Sequence, residues 1–395
     1  MEVKPKTLFA GFTEPDELLP VISAEVTEYG WRGLTMDGEV LEVGSINGHK
    51  VQIPSSISIT IGDRYLGHRA ITNKCKIDID EYLRQFNRVV ECYRGNNLED
   101  ALAASDATIA IAPTLRARFN RAMVLLASGL WQEGFNEYIA LEYHPPFIRP
   151  QVKDLIANGM KLWRGEDINN KRVLVIHAHG FGDTIQCYRY LRYLEAMGAK
   201  VFVDVPEELD RLFDGSLRGG TRIDYFIPFL HLLGLLKISP DACDNEPYLG
   251  IDYDLRSKWF HRLGATDRKR IGIAWSIGKP SVGDYPRDIE LAGLIDHLDP
   301  KATIFSVQKQ PPLDPRVVSF EFEDFADCAA FMICMDEIVT VDTAAVHLAG
   351  AIGHPNIKLL LSKWASWRWL KPWYRNVKIC RQTSDGDWIS ALRQV

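Results

Sequence analysis

A chain of 395 residues exceeds what a single hydrophobic core sustains, about 250 to 300 residues, so two or three domains are expected. Nearly half of the residues are hydrophobic and a quarter are charged, which excludes a disordered or fibrous chain. The net charge of -6 with both signs interspersed leaves no basic footprint and argues against nucleic acid as a partner.

The first residues, Met1 to Glu17, show no cationic segment followed by a long apolar run. No later window supplies about 18 uncharged apolar residues, so no transmembrane segment is expected and a cytoplasmic location is inferred. Seven scattered cysteines, Cys75, Cys92, Cys187, Cys243, Cys328, Cys334 and Cys380, lack C-x-x-C spacing and read as reduced thiols.

From about Val21 to Leu66, short β-branched runs alternate with turn signals at Thr35–Gly38, Ile46–Gly48 and Ile61–Asp63. These predict hairpins in a small β-rich module, residues 1–75. After Cys75 a helical period takes over, and Gly95-Asn-Asn-Leu-Glu-Asp-Ala101 recurs loosely as Gly129-Leu-Trp-Gln-Glu-Gly-Phe135, an offset of 34 residues. That is the length of a tetratricopeptide unit, with Pro113 and Pro145-Pro146 placed as helix stops; two unrelated helical hairpins are the simpler alternative. Residues 76–160 are accordingly read as a TPR-like helical region, a docking adaptor too short to stand alone.

Beyond about Leu162 the pattern changes to short apolar runs alternating with amphipathic helices. Strands are predicted at Arg172–His177, Lys200–Val205 and Arg222–Ile227, and again at Arg270–Trp275, Ala302–Val307, Val317–Phe322, Glu337–Val341 and Asn356–Leu361. The fold class is α/β, with two Rossmann-like domains at 161–266 and 267–395. Ligands of such sheets bind at the carboxyl ends of strands, so the chemistry is sought in the loops that follow them.

The first such loop is His177-Ala-His-Gly-Phe-Gly-Asp-Thr-Ile-Gln186. Gly180 and Gly182 let backbone approach a ligand, and Asp183 is a candidate general base whose plainer reading is a helix N-cap. As a dinucleotide fingerprint the loop fails, because Ile185 stands at the third glycine position, and a nicotinamide enzyme becomes a minor alternative. His177 and His179 are weaker candidates.

The second is Val341-Asp-Thr-Ala-Ala-Val-His-Leu-Ala-Gly350, a strand end entering a helix of small residues. Amides of Thr343 and Ala344 at the helix start suit a diphosphate. Asp342 is placed to meet a ribose hydroxyl or cap the helix, and His347 to reach a phosphate or sugar oxygen, or else to be a satisfied core histidine. Arg287 and the Gln308-Lys309-Gln310 turn are placed to neutralise a departing diphosphate, with exposed salt bridging as the plainer reading. Neither Asp78-x-Asp80 nor Asp252-x-Asp254 makes a convincing metal site, so a metal-independent mechanism without a resident cofactor is predicted.

The ordered series Gly-x-Gly-Asp-Thr-Ile-Gln and Asp-Thr-Ala-x-x-His-Leu-Ala-Gly-Ala resembles bacterial tetratricopeptide proteins with a heptosyltransferase-like domain of glycosyltransferase family 9 type, from roughly Val173 to the C-terminus. Arg189-Tyr-Leu191, Pro247-Tyr-Leu249, Trp275-Ser276, Asp327, Trp367-Arg-Trp369, Pro372-Trp-Tyr374, Arg381-Gln382 and Gly386-Asp-Trp388 extend the resemblance. It implies the GT-B architecture of two Rossmann-like domains, with Asp183 as base and Asp342, Thr343 and His347 at a nucleotide-sugar donor. The chain departs from such relatives at His179, where a Glu-Gln pair is usual, at Ile277 and Gln310, where glycine is usual, and at Arg287-Asp-Ile-Glu-Leu291, where Arg-Ser-Ile-Pro-Leu is usual.

The expected function is transfer of a sugar from a nucleotide-sugar donor to a glycan or protein acceptor, with inversion. The alternative is a catalytically inactive scaffold or nucleotide sensor on the same fold.

Overall fold

The computed structural model describes residues 21–27, 30–36, 40–44, 56–61, 64–70, 77–143, 148–213, 221–238, 245–277, 287–309, 311–363, 367–370 and 372–395. They fall into two compact units, one up to Arg149 and one from Pro150 onward.

In the first unit β1 (Val21–Thr27), β2 (Gly30–Thr35) and β3 (Val40–Gly44) form an antiparallel sheet, and β4 (Ser56–Ile61) pairs antiparallel with β5 (Arg64–Ala70). The residues that would make the three predicted turns lie wholly or partly outside the described residues. Four helices follow: α1 (Ile79–Arg94), α2 (Leu98–Ile111), α3 (Leu115–Ala127) and α4 (Trp131–Leu141).

Asp78 caps α1, its carboxylate accepting from the Glu81 amide at 2.9 Å, and Asp80 pairs with Arg32 at 2.9 Å. Both carboxylates are thus engaged within the fold. The turns after α1 and α3 use left-handed backbone at Asn96 (φ 58°) and Gly129 (φ 78°). Each reverses the chain tightly, so α1 packs on α2, α3 on α4, and α2 against α3. Leu34 of β2 is buried with Ile79, Tyr82, Leu83, Phe86, Ala112 and Ala117, so strand and helices share one apolar core. The Tyr82 hydroxyl meets Thr114 Oγ1 at 2.7 Å and satisfies the polar end of that buried ring.

The second unit runs α5 (Pro150–Ala157), β6 (Arg172–Ile176), α6 (Phe181–Tyr188), α7 (Leu191–Ala196), β7 (Lys200–Asp204), α8 (Glu207–Asp210), β8 (Tyr225–Pro228), α9 (Leu232–Leu235) and α10 (Tyr253–Leu263). It continues with β9 (Arg270–Ala274), α11 (Leu291–Ile295), β10 (Thr303–Ser306), β11 (Val317–Val318), α12 (Phe325–Met332), β12 (Glu337–Val341), α13 (Ala344–Ala351), β13 (Ile357–Leu361), β14 (Val377–Arg381) and α14 (Trp388–Leu392).

These strands make two wholly parallel sheets, of order β7-β6-β8 and β11-β10-β9-β12-β13-β14. The central strands are almost continuously apolar because helices cover both faces: Ile271, Ile273, Val339, Val341 and Leu360 are buried in one cluster with Leu294 and Leu392. Numbered within its own half, the larger sheet has strand order 3-2-1-4-5-6, the doubly wound arrangement.

Two predicted strands differ from the fold. Arg222–Ile227 begins pairing only at Tyr225, because Asp224 accepts from the Arg172 amide at 2.9 Å and caps the edge of β6. Val317–Phe322 shortens to Val317–Val318, because Phe320 and Phe322 leave the sheet and pack around Trp259 at ring separations of 5.3 and 5.7 Å. The indole of Trp259 also donates to Asp327 Oδ1 at 2.7 Å, which fastens α10 to α12 and gives Asp327 a structural role. Among the described residues, no helix is long and apolar enough to cross a membrane.

Candidate active site

In each sheet the strand order reverses at one place: at β6 in the smaller sheet, and between β9 and β12 in the larger. In open parallel sheets ligands bind beyond the carboxyl ends of the strands at such points. The glycine loop leaves β6 and the Asp342–Thr343 turn leaves β12, so both motifs stand at switch points.

The two helices that start there, α6 and α13, pack on each other. Gly182 explains how they approach so closely. A β-carbon on Gly182 would lie 2.9 Å from His347 Cδ2 and 3.5 Å from Ala344 Cα, so hydrogen is the only side chain that fits. Gly182→Ala is expected to displace the His347 ring and to weaken any ligand held at the start of α13 by about tenfold or more, measured as the ligand-induced rise in melting temperature. An undiminished rise would show that the contact does not matter.

Asp183 is not the N-cap of α6. Gly180 holds that position in extended backbone (φ -74°, ψ 159°), and Asp183 sits three residues on, where its Oδ2 accepts from the Gly180 amide at 3.2 Å. The other carboxylate oxygen pairs with Arg368 Nη2 at 2.6 Å. Burial alone would raise the carboxyl pKa, yet Arg368, with His179, His347 and the Gly180 amide, holds it below the usual aspartate range. The group is therefore an ionised acceptor at neutral pH, poised at the helix start where the dipole favours negative charge.

Beyond Gly182, the ring of His347 is buried, stacked 5.2 Å from Trp369, and its Nδ1 lies 2.9 Å from the Tyr374 hydroxyl. Burial pushes the His347 imidazole down to about 4, so the ring is neutral at pH 7. His177 and His354 are lowered in the same direction by burial. A histidine whose pKa falls from 6.5 in the unfolded chain to about 4 adds stability that is complete above pH 6.5 and is lost as pH drops through 4. At about 1.4 kcal/mol per unit, His347 contributes roughly 3 kcal/mol to that acid sensitivity. The melting temperature is expected to be flat above pH 7 and to fall between pH 6.5 and 4, with a shallower fall in His347→Gln; parallel curves would refute the assignment.

Asp342 is turned inward: its Oδ1 accepts from the Trp369 indole at 2.7 Å, and its carbonyl accepts from Arg287 Nη1 at 3.1 Å. Thr343 caps α13, its hydroxyl accepting from the Ala345 amide at 3.3 Å. Among the described residues, no acceptor engages the amides of Thr343 and Ala344. Gln308 Oε1 accepts from the amides of Trp275 and Ser276 at 2.9 and 3.3 Å, so Gln308 shapes the loop after β9. Lys309 is exposed, and Gln310 is outside the described residues. His179 packs 5.9 Å from the His231 ring, and His177 Nδ1 meets Thr184 Oγ1 at 2.8 Å. The second acidic pair lies away from these loops: Asp252 caps α10 by accepting from the Leu255 amide at 2.9 Å.

The fold thus gathers Asp183, Gly182, Asp342, Thr343, Ala344, His347 and Arg287 around one pair of helix starts. It also brings in residues that the sequence gave no role. Arg189 is buried between the rings of Tyr248 and Tyr374, 4.5 and 4.7 Å from their centroids, and donates to the Trp373 carbonyl at 3.1 Å. Tyr248 donates to the Ile185 carbonyl at 2.9 Å, and its backbone amide reaches the Ala351 carbonyl at 2.9 Å. Arg189, Tyr248 and Tyr374 therefore clamp the two sheets' helices together beneath the site. The one sequence signal for them was the series containing Arg189-Tyr, Pro247-Tyr-Leu, Trp367-Arg-Trp and Pro372-Trp-Tyr.

No family model matches this chain. Protein FlbA of Caulobacter vibrioides is 23% identical over 334 residues, covering 70% of this chain and 54% of FlbA. The chain therefore spans about half the length of the curated relative it matches. Among solved structures, a glycosyl transferase family 9 protein from Veillonella parvula is 14% identical with a TM-score of 0.40, covering 56% of this chain and 88% of that one. The ADP-heptose LPS heptosyltransferase II of E. coli is 12% identical with a TM-score of 0.38, covering 56% of this chain and 97% of that one.

Proposed function

We propose that this protein is a glycosyltransferase that moves a sugar from a nucleoside-diphosphate sugar to a hydroxyl of a glycan or protein acceptor, with inversion and without a metal. One observation carries the reading: α6, which bears the ionised Asp183, packs through Gly182 on the start of α13, and among the described residues no acceptor engages the Thr343 and Ala344 amides there. A base beside an anion site is what displacement of a diphosphate by an alcohol requires.

On this reading the diphosphate sits against the Thr343 and Ala344 amides, with Arg287 beside them. Asp183 takes the proton of the acceptor hydroxyl as that oxygen attacks the anomeric carbon. Neutral His347 serves as a hydrogen-bonding wall and leaves the compensation of charge to the arginines. The helices α1–α4, read as two TPR-like units, are proposed to dock the acceptor.

Thermal melting against a panel of nucleosides, nucleoside diphosphates and nucleotide-sugars tests the donor site. One family of nucleotides is expected to raise the melting temperature, and His347→Ala to abolish the rise, since a ligand that binds only the folded state stabilises it by RT ln(1 + [L]/Kd). No rise with any nucleotide would overturn the reading.

A further inference from the structure

A cleft of about 340 Å³ lies at the far end of α6 from Asp183, lined by the α6–α7 corner, β7 and Tyr248. Its size falls within the range of small-molecule pockets, about 300 to 1,000 Å³. Asp183 stands in the first turn of α6, whereas Tyr188 and Arg189, which line the cleft, stand at the end of that helix. Among the described residues, none placed in the transfer chemistry lines it.

The lining divides by chemistry. Leu191 of α7 and Val201 and Val203 of β7 supply its apolar part, since alternate residues of a strand share one face. Tyr188 and Tyr248 supply aromatic rings, and Tyr188 is stacked on Phe213 at a centroid separation of 4.3 Å. Arg189 is only 3% exposed, with its guanidinium 4.5 Å from the Tyr248 centroid, so a positive charge is held in a wall from which water is largely excluded. Arg192 brings a second guanidinium from the exposed side of α7, and Glu195 is the one acid in the lining. Positive charge is therefore in excess around an apolar cavity.

We propose that this cleft binds a small carboxylate with an apolar body, its hydrocarbon part against Leu191, Val201 and Val203 and its anionic group toward Arg189 and Arg192. A guanidinium meets a carboxylate through two parallel hydrogen bonds, and the attraction between the charges grows as water is excluded. A neutral ligand of the same shape gains the apolar contacts alone, and an anion without a body gains the charge alone. The inference stands apart from the nucleotide-sugar reading, because the cleft and the loops at the start of α6 and α13 share no residue.

Ligand-observed NMR titration of the full chain with phenylacetate, phenylacetamide and acetate separates these contributions. Phenylacetate is expected to bind with a dissociation constant of about a millimolar, and phenylacetamide and acetate each about tenfold or more weakly. Arg192→Gln is expected to weaken phenylacetate by about three- to tenfold. Val201→Phe, which adds bulk inside the cleft, should abolish phenylacetate binding with its own melting temperature close to that of the wild type. Equal affinity for phenylacetate and phenylacetamide would overturn the carboxylate assignment, and undiminished binding by Val201→Phe would overturn the location. Absence of phenylacetate binding to the wild type would overturn the site itself. Should Val201→Phe fail to fold, Arg192→Gln decides the location, with unchanged affinity counting against it.

Discussion

Asp183→Asn is expected to lower the turnover of sugar transfer by about two to four orders of magnitude without loss of nucleoside-diphosphate binding. The amide is nearly isosteric, and its carbonyl oxygen can still accept from the Gly180 amide that now meets Oδ2 at 3.2 Å, so the start of α6 keeps its geometry. What disappears is the carboxylate charge that lets this side chain accept a proton from a bound alcohol. Loss in kcat with an undiminished nucleotide-induced rise in melting temperature would separate a base from a binding residue. Unchanged turnover would remove Asp183 from the chemistry, and slow donor hydrolysis offers the same readout where the acceptor is unidentified.

The largest effect on stability is expected from Gly350→Ala. A β-carbon there would lie 2.2 Å from Tyr374 Cγ and within 2.5 Å of both adjoining ring carbons. That ring cannot withdraw: it is buried, stacked against Arg189 at 4.7 Å and tied to His347 at 2.9 Å. Overpacking of this kind costs about 1–3 kcal/mol or more, against a gain of about 1 kcal/mol from replacing glycine in a helix. At about 2–4 °C per kcal/mol for a unit of this size, a net loss of several degrees in melting temperature should result. Gly293→Ala in α11 is the matched control, because a β-carbon there meets nothing within 4 Å, and it should be neutral or mildly stabilising. Equal behaviour of the two variants would mean that the Arg189–Tyr374 clamp yields more easily than its packing implies.

Much of the α/β half is legible in the chain alone. The strands at Arg172, Lys200, Arg270, Glu337 and Ile357 are apolar runs flanked by helices, and burial on both faces of a parallel sheet leaves that pattern in the chain itself. The edge strand Val377–Arg381 escaped notice because its lysine and arginine break the run, although Cys380 is buried. Placement of both glycine-rich and small-residue loops after strands was equally readable, because a chain position following a strand is a local property.

Sequence alone determined most of the parallel strands of the α/β half and which two loops follow strand ends. It also left Asp183 with two readings, cap or base; the fold puts Gly180 at the N-cap and Asp183 three residues on, where Oδ2 accepts from the Gly180 amide and Oδ1 reaches Arg368. Asp342 went the other way, since the Trp369 indole claims its carboxylate, and Gln308 was diverted to the amides of Trp275 and Ser276. The partners Arg368, Trp369 and Tyr374 lie 185, 27 and 27 residues from the groups they meet, Asp183, Asp342 and His347. Periodicity and spacing report neighbours along the chain, whereas ion pairs, ring stacking and the pKa shifts they cause depend on neighbours in space, and these only tertiary packing decides.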